Sequence, residues 1–123
     1  MERKKILLVD DSSTVLLMEK MILSKSPYEL VTASDGQDGY DKALSEKPDL
    51  ILLDVVMPRM DGFEVCRRLR ERDEMRGVPV IMVTTRGELN SVETGYQSGC
   101  TDYITKPING LELLSKVKSY LGD

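Results

Sequence analysis

Five short apolar runs, at residues 6–9, 30–33, 50–53, 80–83 and 103–104, are each followed by a segment of helix length. A β-run and a helix repeated five times leave few architectures, because strands joined by helical crossovers pair in parallel and need helices on both faces. The runs ILLV and LILL lack polar alternation, as parallel strands buried on both sides do. LVTA is mixed and reads as an edge strand. The helices are legible as stripes at three- and four-residue spacing. Val15, Met18 and Ile22 form the first, Tyr40, Ala43 and Leu44 the second, and Phe63, Cys66 and Leu69 the third. Leu89, Val92 and Tyr96 form a fourth, diluted by Gly95 and Gly99, while Leu114, Val117 and Leu121 form a fifth that starts from Asn109 as its cap. The expected fold is α/β, a doubly wound five-stranded parallel sheet. No linker or low-complexity tract divides the 123 residues, so residues 1–123 read as one domain.

Composition narrows the function. The chain is 41% hydrophobic and 31% charged, with no apolar run near the roughly 20 residues that span a membrane and no signal-peptide pattern. It therefore reads as a cytoplasmic protein with no membrane partner. It contains no histidine, which excludes imidazole catalysis and a phosphohistidine of its own. Cys66 and Cys100 lack metal-ligand spacing and read as small buried thiols. A net charge of -4 disfavours nucleic acid as a partner and favours proteins or small ligands.

The first strand ends in two adjacent carboxylates, Asp10 and Asp11, and the third ends in Asp54. In such sheets ligands bind beyond the carboxyl ends of the strands, where strand order reverses; in the flavodoxin-like order 2-1-3-4-5, strands 1 and 3 flank that point. Three carboxylates would converge there, each pair costing roughly 4 kcal/mol at 4 Å in an effective dielectric near 20. A divalent cation relieves that cost, and an all-oxygen donor set points to Mg2+ or Mn2+. Thr84 ends the fourth strand and Lys106 the fifth, adding a hydroxyl and an ammonium. Metal, hydroxyl and ammonium together suit a phosphoryl group, with Asp54 as the attacking carboxylate. Plainer readings exist for each residue. Asp10 or Asp11 could cap the first helix, as could Ser12 or Ser13; Asp61 before Gly62 caps the third; Tyr103 alone would be core.

With VDDS, LLDVVMPRMDG, VTT and DYITKP in this order, the chain resembles the receiver domain of two-component response regulators, and in its brevity the chemotaxis-type single-domain regulators. The resemblance covers essentially the whole chain. It implies that Asp11, Asp54 and the backbone carbonyl of Val56 bind Mg2+, with Asp10 assisting through water. It also implies that Asp54 is phosphorylated, that Thr84 and Lys106 contact the phosphoryl, that Tyr103 is a switch aromatic, and that the Lys106–Pro107 bond is cis. The implied partners are a histidine kinase and a downstream effector protein, the implied role a switch and not a turnover enzyme. Val56 and Arg86 fall where the family tunes phosphoryl lifetime, and Thr85 stands where a smaller residue is usual. Two other classes fit less well. A Mg2+-dependent phosphatase usually needs a cap domain and a D-x-D arrangement, both missing from this sequence. A flavin carrier using DSST as a phosphate loop is opposed by the two Asp beside it and by an aromatic content of five Tyr and one Phe. Cognate kinase, pathway and oligomeric state are not written in the sequence.

Overall fold

The computed structural model describes residues 3–85 and 96–122. Five strands, β1 (Lys5–Val9), β2 (Glu29–Ala33), β3 (Leu50–Asp54), β4 (Val80–Thr85) and β5 (Asp102–Lys106), form one parallel sheet in the order β2-β1-β3-β4-β5. The described residues include the α-helices α1 (Ser13–Leu23), α2 (Gly36–Glu46), α3 (Gly62–Arg70) and the C-terminal α4 (Gly110–Leu121), with a 3-10 turn at Asp73–Met75. Of the fourth predicted helix stripe, Leu89 and Val92 lie outside the described residues.

Strand alternation divides the core into two layers. Leu7, Val9, Ile51, Leu53, Val80 and Met82 share one layer with Ala43 of α2 and with Val65, Cys66 and Leu69 of α3. Ile6, Leu8, Leu50, Leu52, Ile81, Val83 and Ile104 share the other with Leu23 of α1 and with Leu113 and Val117 of α4. The mixed run LVTA is the β2 edge, as expected, and both cysteines are buried.

The helix starts follow side-chain oxygens that accept backbone N–H groups otherwise without partners. Asn109 caps α4 by accepting from Glu112 N at 3.0 Å, and Asp61 caps α3 by accepting from Glu64 N at 2.9 Å. The cap of α1 is Ser12, whose Oγ accepts from Val15 N at 3.3 Å; neither Asp10 nor Asp11 takes that job. The inward face of α1 also differs from the predicted stripe. Met18 is 40% exposed, and the fully buried positions are Glu19 and Leu23. A charged residue at the centre of a helix reads as solvated, so the true inward face was rotated away from the apparent one.

The loop that follows β3 is pinned by Gly62. A Cβ there would stand 2.4 Å from the Asp54 carbonyl oxygen and 3.0 Å from Val55 Cα, while Gly62 N donates to Val55 O at 2.8 Å. Both obstacles are backbone and cannot rotate aside. Gly62→Ala is therefore expected to lose about 1–3 kcal/mol of stability in urea unfolding, whereas Gly77→Ala, with no atom within 4 Å of its added Cβ, should stay within about 0.5 kcal/mol of the parent. Equal stabilities for the two variants would refute the tight seat assigned to Gly62.

Candidate functional site

The same alternation that builds the two layers aims the side chains at the strand ends. Asp10 extends the β1 ladder by donating its N–H to Ala33 O at 3.1 Å, and it follows Ile6 and Leu8 into the α1/α4 layer. Asp54 follows Leu50 and Leu52, and Lys106 follows Ile104, into the same layer. Thr84 follows Val80 and Met82 toward the α2/α3 layer, where Tyr103 also packs. One sheet edge thus presents two carboxylates and an ammonium on one side and a hydroxyl and an aromatic on the other.

Carboxylate oxygens of Asp10, Asp11 and Asp54 all lie within 4.8 Å of one another, a group that could hold a metal ion. Asp10 and Asp54 are 1% and 5% exposed, and Asp11 faces solvent. Asp10 Oδ1 accepts from Ser12 N at 2.9 Å, which turns Oδ2 toward the centre of the cluster. Lys106 Nζ stands 3.2 Å from Asp10 Oδ2 and 3.2 Å from Asp54 Oδ1, and its hydrogen bond goes to Asp54. Among the described residues, Asp10 Oδ2 is left with the ion-pair contact and no further hydrogen bond.

The electrostatics follow from burial and crowding. Burial, then the charge of Asp10, pushes the Asp54 carboxyl up to about 6, against the pull of Lys106. Burial works to lower the Lys106 ammonium, but the Asp54 and Asp10 carboxylates outweigh it and hold the group above its ordinary value. Glu19 belongs to this field too. It is 1% exposed, its Oε1 has no hydrogen bond among the described residues, and burial followed by the charge of Asp10 pushes it up to about 8 while Lys106 draws it down. Reading the sequence missed it, because one Glu inside an amphipathic helix carries no signal of its own.

The remaining predicted residues are placed as follows. Thr84 is 1% exposed, with Oγ1 donating to Thr85 O at 3.4 Å. Tyr103 is half-buried and meets Tyr96 edge-on, ring centroids 5.4 Å apart. Burial, then the neighbouring Cys100 thiol, holds its hydroxyl above its usual range. Beyond it, Asp102 accepts from Lys116 Nζ at 3.1 Å and from Tyr120 OH at 2.9 Å, tying β5 to α4. The Val56 side chain is 57% exposed, Thr85 is exposed, and Arg86 lies outside the described residues. The Lys106–Pro107 peptide is cis.

Comparison with known proteins identifies the arrangement. Residues 6–118 match the family model described as the response regulator receiver domain. The chain is 42% identical over 118 residues to the alkaline phosphatase synthesis transcriptional regulatory protein PhoP of Bacillus subtilis, covering 96% of this chain and 48% of that protein. It is 37% identical over 117 residues to the DNA-binding dual master transcriptional regulator RpaA of Synechocystis, covering 95% and 48%. The chain spans about half the length of the curated relatives it matches. Among solved structures it resembles the chemotaxis response regulator CheY4 of Vibrio cholerae, with a TM-score of 0.91, 33% identity and coverage of 98% and 100%. The signal receiver domain of a signal transduction histidine kinase from Syntrophus aciditrophicus gives a TM-score of 0.88 at 36% identity, covering 96% and 89%. Sheet order, a carboxylate group at the strand ends and a match over nearly the whole sequence agree: the chain belongs to the response regulator receiver domain family of two-component signalling.

Proposed function

We propose that the chain is a phosphorylation-switched signalling module in which Asp54 accepts a phosphoryl group, residues 1–123 acting as one domain. The observation that carries this reading is the place of Asp54, buried at its strand end between the acidic pair and Lys106. The all-oxygen donor set and the buried Asp10 Oδ2 without a hydrogen bond fit a hard divalent cation. Asp11, Asp54 and the Val56 carbonyl would hold Mg2+, or Mn2+, directly, with Asp10 acting through water. When bound, that ion neutralises the carboxylates and draws charge from the transferring phosphoryl.

The chain's own groups do the rest. Asp54 attacks phosphorus in line, an O–P bond forming as the bond to the donor's leaving group breaks. With no histidine in the sequence, the phosphohistidine comes from outside, from a partner histidine kinase, or a small phosphodonor replaces it. Lys106 already touches Asp54 and needs only a short shift to meet an equatorial oxygen, and Thr84 supplies a hydroxyl from the adjacent strand. Thr84 moving toward the phosphoryl opens space for Tyr103, which reshapes for an effector the surface around β5, α4 and the fourth predicted helix stripe, of which Leu89 and Val92 lie outside the described residues. Val56 and Arg86 set how long the phosphoryl lasts, and an apolar Val56 cannot orient an attacking water.

The relatives are named regulators of transcription, so the module acts as a switch and not as a turnover catalyst. Because they are about twice as long as this chain, its charge of -4 speaks only for this domain; the expectation that nucleic acid is no partner is not carried to a full-length protein. Among the described residues no helix is long and apolar enough to cross a membrane.

Three outcomes are expected. Acetyl phosphate with Mg2+ should add one phosphate by intact mass, and Asp54→Asn should abolish it; undiminished labelling of the variant would sink the assignment. Tyr103→Ala should accept phosphate yet bind its effector without discrimination, because a ligand shifts a two-state equilibrium only through differential contacts. Pull-downs with and without beryllofluoride that match the parent would remove Tyr103 from the switch. The third outcome is read in thermal melts. Folded Asp54 titrates at about 6, above its unfolded value. In EDTA its contribution to stability is therefore full at low pH and is lost as pH rises from about 4 through about 6. Mg2+ should oppose that loss, adding about 2.7 kcal/mol at a hundredfold excess over Kd. Asp11→Asn should melt higher than the parent in EDTA and gain less from Mg2+. A variant less stable in EDTA with an undiminished Mg2+ gain would make Asp11 structural.

A further inference from the structure

Lys106 Nζ carries three N–H donors, and its two carboxylate neighbours are Asp10 Oδ2 and Asp54 Oδ1, each at 3.2 Å. On the reading above both partners change when the site is used, Asp54 by taking up the phosphoryl and Asp10 by turning to water around the cation. The ammonium ends a flexible four-carbon stem, and the side chain is 21% exposed, so solvent competes for it. A third anchor on the protein side would keep it in the crevice.

Glu19 is placed to be that anchor. It projects from the buried face of α1, toward the layer that Asp10, Asp54 and Lys106 face. It is 1% exposed, and among the described residues its Oε1 accepts no hydrogen bond. Attraction to Lys106 is the one influence that favours its charge, against burial, Asp10 and Asp54. A carboxyl here weakens the fold, since an apolar residue would pack without a desolvation cost. It does not cap α1, whose cap is Ser12. We propose that Glu19 is a positioning residue for Lys106, accepting a hydrogen bond from its ammonium, directly or through one water, when Asp10 and Asp54 are engaged. Neutral or ionised, a carboxyl keeps an acceptor oxygen, so the role does not depend on its titration. It does rest on Asp54 as the phosphoacceptor.

The test compares the parent with Glu19→Leu and Glu19→Gln, the amide oxygen of Gln still being able to accept from Lys106. Glu19→Leu should melt higher than the parent and bind Mg2+ within about twofold of it by calorimetry. It should nonetheless accept phosphate from acetyl phosphate about tenfold to a hundredfold more slowly, the scale of a misplaced catalytic group. Glu19→Gln should recover most of that rate. In protein labelled with 15N-lysine and loaded with beryllofluoride and Mg2+, the Lys106 ammonium resonance should be sharp in the parent and in Glu19→Gln and broadened by solvent exchange in Glu19→Leu. Glu19→Met gives the same contrast if Glu19→Leu does not fold. Loading by Glu19→Leu at the parental rate, or by Glu19→Gln as slowly as Glu19→Leu, overturns the role of Glu19 while leaving Asp54 in place. A parent that takes no phosphate overturns the Asp54 reading itself, and the Glu19 role with it.

Discussion

Three carboxylates crowd one edge of the sheet, and the Lys106 ammonium stands between two of them. Each like-charged pair at such separations costs on the order of 4 kcal/mol in a protein-like dielectric, and one ammonium offsets only part of it. The remainder shows in Asp54, which holds its proton to about 6, and in the buried oxygen of Asp10 that has no hydrogen bond. A fold that tolerates this needs a large apolar core elsewhere. The two layers supply it, with Ile6, Leu8, Leu52, Ile81, Met82 and Leu113 among the large side chains less than 2% exposed. Burying each contributes about 1.5–3 kcal/mol before conformational entropy is counted.

The apolar runs and their period were enough to read five buried strands, the mixed β2 edge and the place of Asp10, Asp54 and Lys106 at strand ends, because those features depend on local pattern, which a sequence displays directly. The caps at Asn109 and Asp61 were legible for the same reason. The order that makes those strand ends neighbours is a matter of long-range pairing and was taken from the flavodoxin-like class of doubly wound sheets. The face of α1 was not, because Glu19 is buried by tertiary packing against a charged site that no local pattern reveals. Which residue would cap α1 was equally hidden. Asp10, Asp11, Ser12 and Ser13 all had the chemistry, and the choice of Ser12 depends on Asp10 being turned back to accept from Ser12 N. Strand-end chemistry pointed to Thr84 and the family resemblance to Tyr103, but neither conveyed that the two lie on the opposite layer from Asp54.

That division sets the form of any switch. The carboxylates and Lys106 occupy the α1/α4 side, whereas Tyr103 packs on the α2/α3 side, so on the proposed reading a change at Asp54 would have to cross the plane of the sheet to reach it. β4 is the element between them, paired with β3 through Asp54 and Val83 and with β5 through Met82 and Tyr103. Thr84 is nearly inaccessible within it, so a displacement of its hydroxyl cannot be absorbed by solvent and must be taken up by packed neighbours.

Where that displacement goes is decided by what is held still. On one side Gly62 seats α3 directly on the backbone of Asp54 and Val55. On the other, Arg70 reaches from the end of α3 to the carbonyl of Gly99 at 2.8 Å and to Thr101 Oγ1 at 3.4 Å, while Thr101 Oγ1 accepts from Val80 N at 2.9 Å. Gly99 itself adopts φ +101°, a turn that favours glycine, and so fixes the approach to β5. The entry to β5 is thus clamped to α3 and to the start of β4. The exit, at Lys106, is held by ion pairs that phosphorylation of Asp54 would rearrange. On the proposed reading, a strand fixed at its start and released at its end would concentrate its response between Tyr103 and Lys106, on the flank where Asp102 and Lys116 join β5 to α4.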